Sequence, residues 1–229
     1  MLTKKKKLSK KEIKEDKLVS FMVKVEGFYE DYRSKIMLYG GILVAAIVLV
    51  YFYMSEQSAL NDEAGLELSR VMQIFDSGSY LEAIEGRQGS NIIGLKRIVE
   101  EYSGTENGES AKIFLANCYS YLGNYEEAFK YYEDYTGDIP VYTASSLAGM
   151  GGYFASKNNY SKAADLYKKA ANVTEINPQN PNYLLNGAAN YINAGEKDEA
   201  KLMLDKITED YASSEAKKQV DKYLALIDN

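Results

Sequence analysis

The sequence has no histidine, one cysteine and only three prolines in 229 residues. Without histidine the commonest general base is missing, and so are the Ser-His and Cys-His nucleophile pairs and the commonest transition-metal ligand. Any catalysis would rest on carboxylates, lysine or tyrosine, and no spacing among them suggests a site. The chain therefore reads as a binding protein rather than an enzyme, with no cofactor and no metal. A lone Cys118 excludes an intramolecular disulfide and a thiolate zinc cluster, and on an apolar helix face it reads as core packing. With few prolines and no strand-like alternation, helix is the expected element throughout.

Positive charge is scarce after the first thirty-five residues. Residues 1–35 hold 11 Lys+Arg against 6 Asp+Glu, whereas residues 36–229 hold 16 against 27. The two parts, at +5 and −11, suit different surroundings. An acidic domain repels phosphate, so nucleic acid is not an expected partner.

Between those parts, IMLYGGILVAAIVLVYFYMS runs from Ile36 to Ser55 without a charge. At about 1.5 Å per residue this covers the roughly 30 Å of bilayer hydrocarbon, and no polar stripe marks it as a buried core helix. A cleaved signal peptide is disfavoured, because the basic region is long and SEQSAL after Met54 offers a poor cleavage site. Tyr39 at one end and Tyr51, Phe52 and Tyr53 at the other sit where interfacial aromatic belts occur. Gly41 and Ala45 form a small-xxx-small pair of the kind that lets a second helix approach. Lys4, Lys5, Lys6, Lys7, Lys10, Lys11, Lys14 and Lys17 precede the span, and Glu56, Asp62 and Glu63 follow it. That asymmetry keeps the N-terminus cytoplasmic and translocates the acidic domain.

Before the span, Ser9-x-x-Glu12 makes a capping box, and Leu18, Phe21, Met22, Val25, Phe28, Tyr29 and Tyr32 recur at helical spacing. This amphipathic helix suits either an anionic lipid surface or a docking partner.

After the span, internal similarity sets the fold. Leu122-Gly123-Asn124-Tyr125-Glu126-Glu127-Ala128 matches the turn and second-helix start of a tetratricopeptide repeat (TPR). Related segments run Asn158 to Ala163 and Gly195 to Ala200, with the alanines 35 and 37 residues apart. Aligned on them, the first helix carries Leu115, Met150 or Gly187, then Ala116, Gly151 or Ala188, then Tyr119, Phe154 or Tyr191. The second carries Tyr132, Tyr167 or Leu204. Small residues permit close helix approach and aromatics fill the gap beside them, so the tyrosine stripe reads as core. Tyr135 in place of a small residue and Gly187 in place of a large one depart from the pattern. The last repeat is expected to be a loosely packed cap.

Upstream, Gly78 to Ala83 resembles another such turn, but its alanine precedes Ala128 by 45 residues. Gly86, Gly89 and Gly94 lie in the intervening piece. No strand precedes them and no Gly-Lys-Ser/Thr closes them, so a phosphate loop is not expected. The resulting fold is all-α, with an N-terminal amphipathic helix (1–35), one transmembrane helix (36–55) and an extracytoplasmic TPR-type α-solenoid of helix pairs (56–229). Its repeats are placed at 109–142, 144–177 and 181–214, with a degenerate repeat and insertion over 58–104.

This layout resembles the YfgM-like family of bacterial single-pass TPR proteins, ancillary subunits of the Sec translocon. The resemblance rests on the lysine-rich start, the Glu15-Asp16-Lys17-Leu18-Val19 opening of the juxtamembrane helix, the single span, and the insertion Gly86 to Gly94. That insertion stands before Ala116-Asn117-Cys118-Tyr119-Ser120-Tyr121-Leu122-Gly123. It implies an inner-membrane location and, as partners, Sec translocon subunits, a membrane-anchored periplasmic prolyl isomerase-like chaperone, unfolded secreted polypeptides and the lipid bilayer. A scaffold for another envelope assembly, in division or outer-membrane biogenesis, would use the same anchor and repeats.

In a TPR stack the first helix of each pair lines the concave face. The alignment places Ile113, Asn117, Ser120 and Tyr121 there, then Ala148, Gly152 and Ala155, then Leu185, Asn186, Ala189 and Asn193. That face holds no Lys or Arg, which disfavours capture of an acidic C-terminus. A neutral, amide-bearing groove suits an apolar helix or an extended segment. The orientation has a direct check. A compartment-sensitive reporter fused after Asn229 should be active only outside the cytoplasm, and activity confined to the cytoplasm would reverse the topology.

Overall fold

The computed structural model describes residues 10–228, with side chains from Val19 to Ile227. Ser9 of the expected capping box, the run Lys4 to Lys7 and the side chains of Lys10 through Leu18 lie outside the described residues. Among the described residues ten helices run α1 Lys10–Asp76, α2 Tyr80–Glu85, α3 Leu95–Glu101, α4 Glu106–Tyr121, α5 Tyr125–Glu133, α6 Pro140–Ser156, α7 Tyr160–Ala171, α8 Asn180–Ala194, α9 Lys197–Asp210 and α10 Lys217–Asp228. Among the described residues no strand forms, and the chain divides into two units, 1–56 and 57–229.

The described residues of the first unit are the N-terminal part of α1. Its apolar run meets no protein: every large hydrophobic side chain from Val19 to Met54 is exposed. This helix is long and apolar enough to span a membrane.

In the second unit one turn recurs four times, and backbone chemistry explains why. Gly78, Gly123, Asn158 and Gly195 each adopt a left-handed conformation, with φ of 80°, 78°, 59° and 81°. Glycine does so without steric penalty and asparagine tolerates it better than other residues. The next amide in each case reaches back to the preceding helix: Ser79 to the Ile74 carbonyl at 3.3 Å, Asn124 to Tyr119 at 2.9 Å, Asn159 to Phe154 at 2.9 Å and Glu196 to Tyr191 at 2.8 Å. These are Schellman closures, which satisfy carbonyls the helix end would otherwise orphan. Five residues after each left-handed position stands an alanine, Ala83, Ala128, Ala163 or Ala200, and each is buried. The alanine of the degenerate first turn thus occupies the same place as the other three. The last twenty residues of α1 and α2 form the first pair, followed by α4/α5, α6/α7 and α8/α9.

Small residues set how closely the pairs approach. Ala116 and Ala188 are fully buried between paired helices. A side chain on Gly151 would meet the Ala163 carbonyl at 3.2 Å and the Tyr167 ring at 3.1 Å. The expectation of a loose terminal cap is corrected. Met203 fills the space at Gly187, where an added Cβ would lie 2.5 Å from its terminal methyl. Leu204 and Ile207 are fully buried, and α10 follows, packing Val220 into the same cluster. Tyr135, at a position that usually takes a small residue, lays its ring against Gly137, which has no side chain to obstruct it.

The 45-residue spacing also has a physical cause. Helix α2 has only six residues, too short to cover α1, and α3 completes the layer with Leu95 and Ile98 in the same core as Val71, Ile74 and Leu115. Between them the chain doubles back through an isolated bridge from Gly86 to Ile93. The glycines there serve steric closeness: a Cβ on Gly94 would lie 2.1 Å from the Ile84 carbonyl oxygen and 2.5 Å from the Gly86 nitrogen. Gly94 itself is extended, at φ −80° and ψ 162°, so the exclusion is contact and not conformation.

Residues 57–229 should therefore give a strongly helical circular dichroism spectrum and one cooperative melt without the anchor. Gly94→Ala in that fragment should cost about 2 kcal/mol or more by chemical denaturation, since the clash is with backbone that cannot rotate away.

Candidate partner-binding surface

The first helices of the pairs carry the expected groove residues, and the structure sorts them into buried, half-buried and exposed groups. Ile113 is 1% exposed and Leu185 6%, so these two do not line a groove. Ile113 belongs to a core with Ala116, Ala128 and Tyr132, against which Tyr142 and Met150 of α6 pack. A first helix touches its own partner and also the first helix of the next repeat, which narrows its open arc. Asn117 is half-buried, and its Oδ1 accepts a hydrogen bond from the Tyr132 hydroxyl at 2.6 Å. Ser120 is half-buried, as is Gly152, where the Tyr167 hydroxyl occupies the space beside it. Tyr121, Asn186 and Asn193 are exposed.

Around Tyr121 the structure assembles an aromatic surface whose other members the repeat alignment missed. Tyr121 stacks on Tyr80 with centroids 4.6 Å apart. Phe75 meets Tyr80 at 5.7 Å and Phe114 at 5.4 Å, and Phe114 meets Tyr142 at 5.7 Å. The rings run across α1, α4 and α6, the first helices of three successive pairs, with Tyr80 contributed by the start of α2. Each is half-buried except Tyr121, which is 63% exposed. Offset and edge contacts of this kind hold rings in place beyond their area burial, so the surface is preorganised. One signal was available in the sequence: Phe114 precedes Tyr121 by seven residues, two turns up the same face.

The single lysine of α4 is held away from this face. The lysine of α4, Lys112, is buried and committed: its Nζ lies 2.8 Å from Glu109 Oε1 and 2.7 Å from Asp134 Oδ2, and donates to the Asp134 carbonyl at 3.0 Å. Glu109 Oε2 accepts from the Thr136 amide at 2.8 Å. This clamp fixes the end of α5 and the following loop to the start of α4. Burial alone would raise the Glu109 pKa, but hydrogen bonds from Lys112 and Thr136 outweigh it and hold the carboxyl below its usual range. Burial would lower Lys112, and the bonds to Asp134 and Glu109 instead hold it above the ordinary lysine value. Cys118 is fully buried, which pushes its thiol up to about 12 and leaves it unreactive at neutral pH. Among the described residues no cluster of three or more potential metal ligands occurs.

A second aromatic group, Phe129, Tyr153 and Phe154, joins α5 to the end of α6. Its open side is covered by the chain's own cations, with Lys162 Nζ 3.7 Å from the Phe154 centroid and Lys157 5.5 Å from that of Tyr153. It reads as internal packing.

A tetratricopeptide-repeat family model matches residues 183–214, which take in most of α8 and all of α9. The chain contains a tetratricopeptide repeat. Together with the all-helical second unit, this identifies a fold used for protein–protein contact. The match falls on the pair whose Gly187 departs from the pattern, which agrees with the tight packing that Met203 restores there. No curated protein matches the chain.

Acid should weaken the α4 clamp. A depressed carboxyl contributes stability that is full above the ordinary glutamate pKa, about 4.3, and is lost as pH falls through the lower folded value. Glu109→Gln should cost about 1–3 kcal/mol at pH 7 and flatten the stability loss seen in the parent below about pH 5. Denaturant titrations at several pH values read both effects.

Proposed function

We propose that this chain is a membrane-anchored TPR adaptor whose repeat domain binds protein partners on the periplasmic side of a bacterial inner membrane, and that it is not an enzyme. The observation that carries the reading is the pairing of a wholly uncovered apolar helix with a TPR domain that has its own closed core. Leaving twenty uncharged residues in water forfeits roughly 25 cal/mol for each Å² of apolar surface, and a bilayer removes that cost. The lysine-rich flank orients the anchor with its N-terminus in the cytoplasm.

The resemblance to YfgM-like proteins supports a finer reading: an ancillary subunit of the Sec translocon that works with a membrane-anchored prolyl isomerase-like chaperone on emerging polypeptides. The aromatic surface around Tyr121 fits that role. An unfolded secreted segment offers apolar side chains, and rigid rings contact these at little entropic cost. The exposed amides of Asn186 and Asn193 can pair with the main chain of an extended segment. An acidic C-terminal peptide is disfavoured, because the one lysine of α4 is buried in an ion-pair clamp.

Co-purification in mild detergent from the native membrane tests this, with translocon subunits expected. Tyr121→Ala combined with Asn186→Ala should retain the fold within about 1 kcal/mol, both sites being exposed, and should lose captured polypeptide. Recovery of division or outer-membrane assembly components without translocon would replace the secretory reading with a scaffold for that assembly. Undiminished capture by the double variant would move the binding surface elsewhere.

A further inference from the structure

The apolar face of α1 ahead of the span lacks a cover, and the geometry of the helix restricts what that cover is. The α-helical hydrogen bonding continues without interruption from Lys10 through the apolar run. No described residue in that stretch is proline or takes a positive φ. A helix that lies flat on a bilayer must turn sharply where it meets a spanning helix, and sharp turns fall at a proline, a Gly/Ser pair or a π-bulge, none of which occurs from Val19 to Ile36, where Gly27 stands alone. Without one, the segment before Ile36 continues along the span's axis, away from the lipid. Phe28 then stands about 12 Å beyond Ile36 and Phe21 about 22 Å beyond it, past the interfacial layer of roughly 6 Å.

The face repeats every three and four residues. Phe21, Val25, Phe28, Tyr32 and Tyr39 fall on the seam positions of a heptad, with Met22, Tyr29, Ile36 and Leu43 beside them, and all are exposed. The remaining positions from Ser20 to Ser34 are Ser20, Val23, Lys24, Glu26, Gly27, Glu30, Asp31, Arg33 and Ser34, polar apart from Val23 and Gly27. Lys35 would interrupt the seam, but it lies along the helix with Nζ 5.7 Å from the Tyr32 centroid. Where the face meets the span, Phe28, Tyr32, Ile36, Tyr39, Gly40 and Leu43 wall a shallow notch of about 480 Å³, with nothing within 4 Å of the place a Gly40 side chain would occupy.

Charge selects the occupant. Val19 to Lys35 holds three cations, Lys24, Arg33 and Lys35, against three anions, Glu26, Glu30 and Asp31. A segment built for anionic lipid would be basic here, yet the excess of lysine lies before residue 19. A segment of zero net charge meets an identical one without net repulsion, and Lys35, laid along its own helix over Tyr32, keeps its ammonium off the seam. Two copies inserted with one topology also run parallel and in register, which brings like seam positions together about a two-fold axis.

We propose that the α1 face formed by Phe21, Val25, Phe28, Tyr32 and Tyr39 is the seam of a parallel coiled-coil dimer with a second copy of this chain. The proposal rests on the reading that α1 crosses a bilayer, and the two are scored separately. In a Cys118→Ala background, single cysteines replace Val25, Phe28 or Tyr32 on the seam and Glu26, Glu30 or Arg33 off it. Each full-length variant is oxidised in isolated membranes. Seam cysteines should give a product of twice the 25.7 kDa chain mass in severalfold higher yield than off-seam ones. Equal yields at both sets, no product, or seam adducts only with a different protein would overturn the dimer. Alkaline extraction of the same membranes scores the anchor. A chain released by alkali removes the membrane reading, and the cross-linking pattern then still decides the seam by itself.

Discussion

Close approach of paired helices at one small side chain per repeat is the constraint on which the second unit depends. Ala128, Ala163 and Ala200 are 2% exposed or less, and each stands a fixed five residues after a left-handed turn residue. The turn sets the angle at which the second helix leaves, and the alanine sets how near it comes. Neither can change alone. A bulkier residue at the alanine would push the helices apart, and the Schellman bond from the turn would then lengthen or break. With both fixed, the remaining gap is filled by a large side chain further along, Tyr132, Tyr167 or Leu204. Backbone geometry repeated in this way explains how the degenerate first pair keeps the arrangement although it shares little sequence with the others.

Long-range polar contacts then fix the stack where small residues cannot. Asn107 Nδ2 donates to the Asn61 carbonyl at 3.0 Å and its amide donates to the Asn61 side chain at 2.8 Å, joining α4 to α1. Ser146 donates to the Tyr132 carbonyl at 2.7 Å and ties α6 to α5. The Lys112 clamp joins the far end of α5 to α4. Each bond satisfies a group that burial would otherwise leave costly, so these contacts specify register more than they add net stability.

The helix pairs were legible because the alanine after each of the last three turns recurs every 35 to 37 residues, together with the turn residue before it and the aromatic positions on either side. The groove was less so. Spacing from the alanine gives a residue's angle on its own helix, but it is silent about the next repeat's first helix, and that neighbour buries Ile113. Phe75 and Tyr80 belong to a pair displaced in phase by the insertion, so alignment with the later repeats could not bring them beside Tyr121. Continuity of α1 was hidden for a different reason. Hydropathy changes sharply at Ile36 and at Ser55, whereas the capacity to form helix does not, and the sequence divides where the backbone continues.

Tyrosine shows why composition alone could not separate core from surface. The chain has 21 tyrosines and no tryptophan. A phenol fills the gap beside a small residue while its hydroxyl finds a partner, as in Tyr132 to Asn117 and Tyr191 to Asp165, both at 2.6 Å. The same group on the surface presents an apolar ring and remains wettable at its tip. Tyr132 and Tyr121 lie on the two helices of one pair, yet they differ in exposure from 4% to 63%. What separates them is the neighbour each ring meets. Tyr132 faces α4 and α6, both of which close over it, whereas Tyr121 rests on Tyr80 of the six-residue α2. A helix that short ends before it can cover the ring, so the truncation of α2 that required α3 to complete the core also leaves the aromatic surface open.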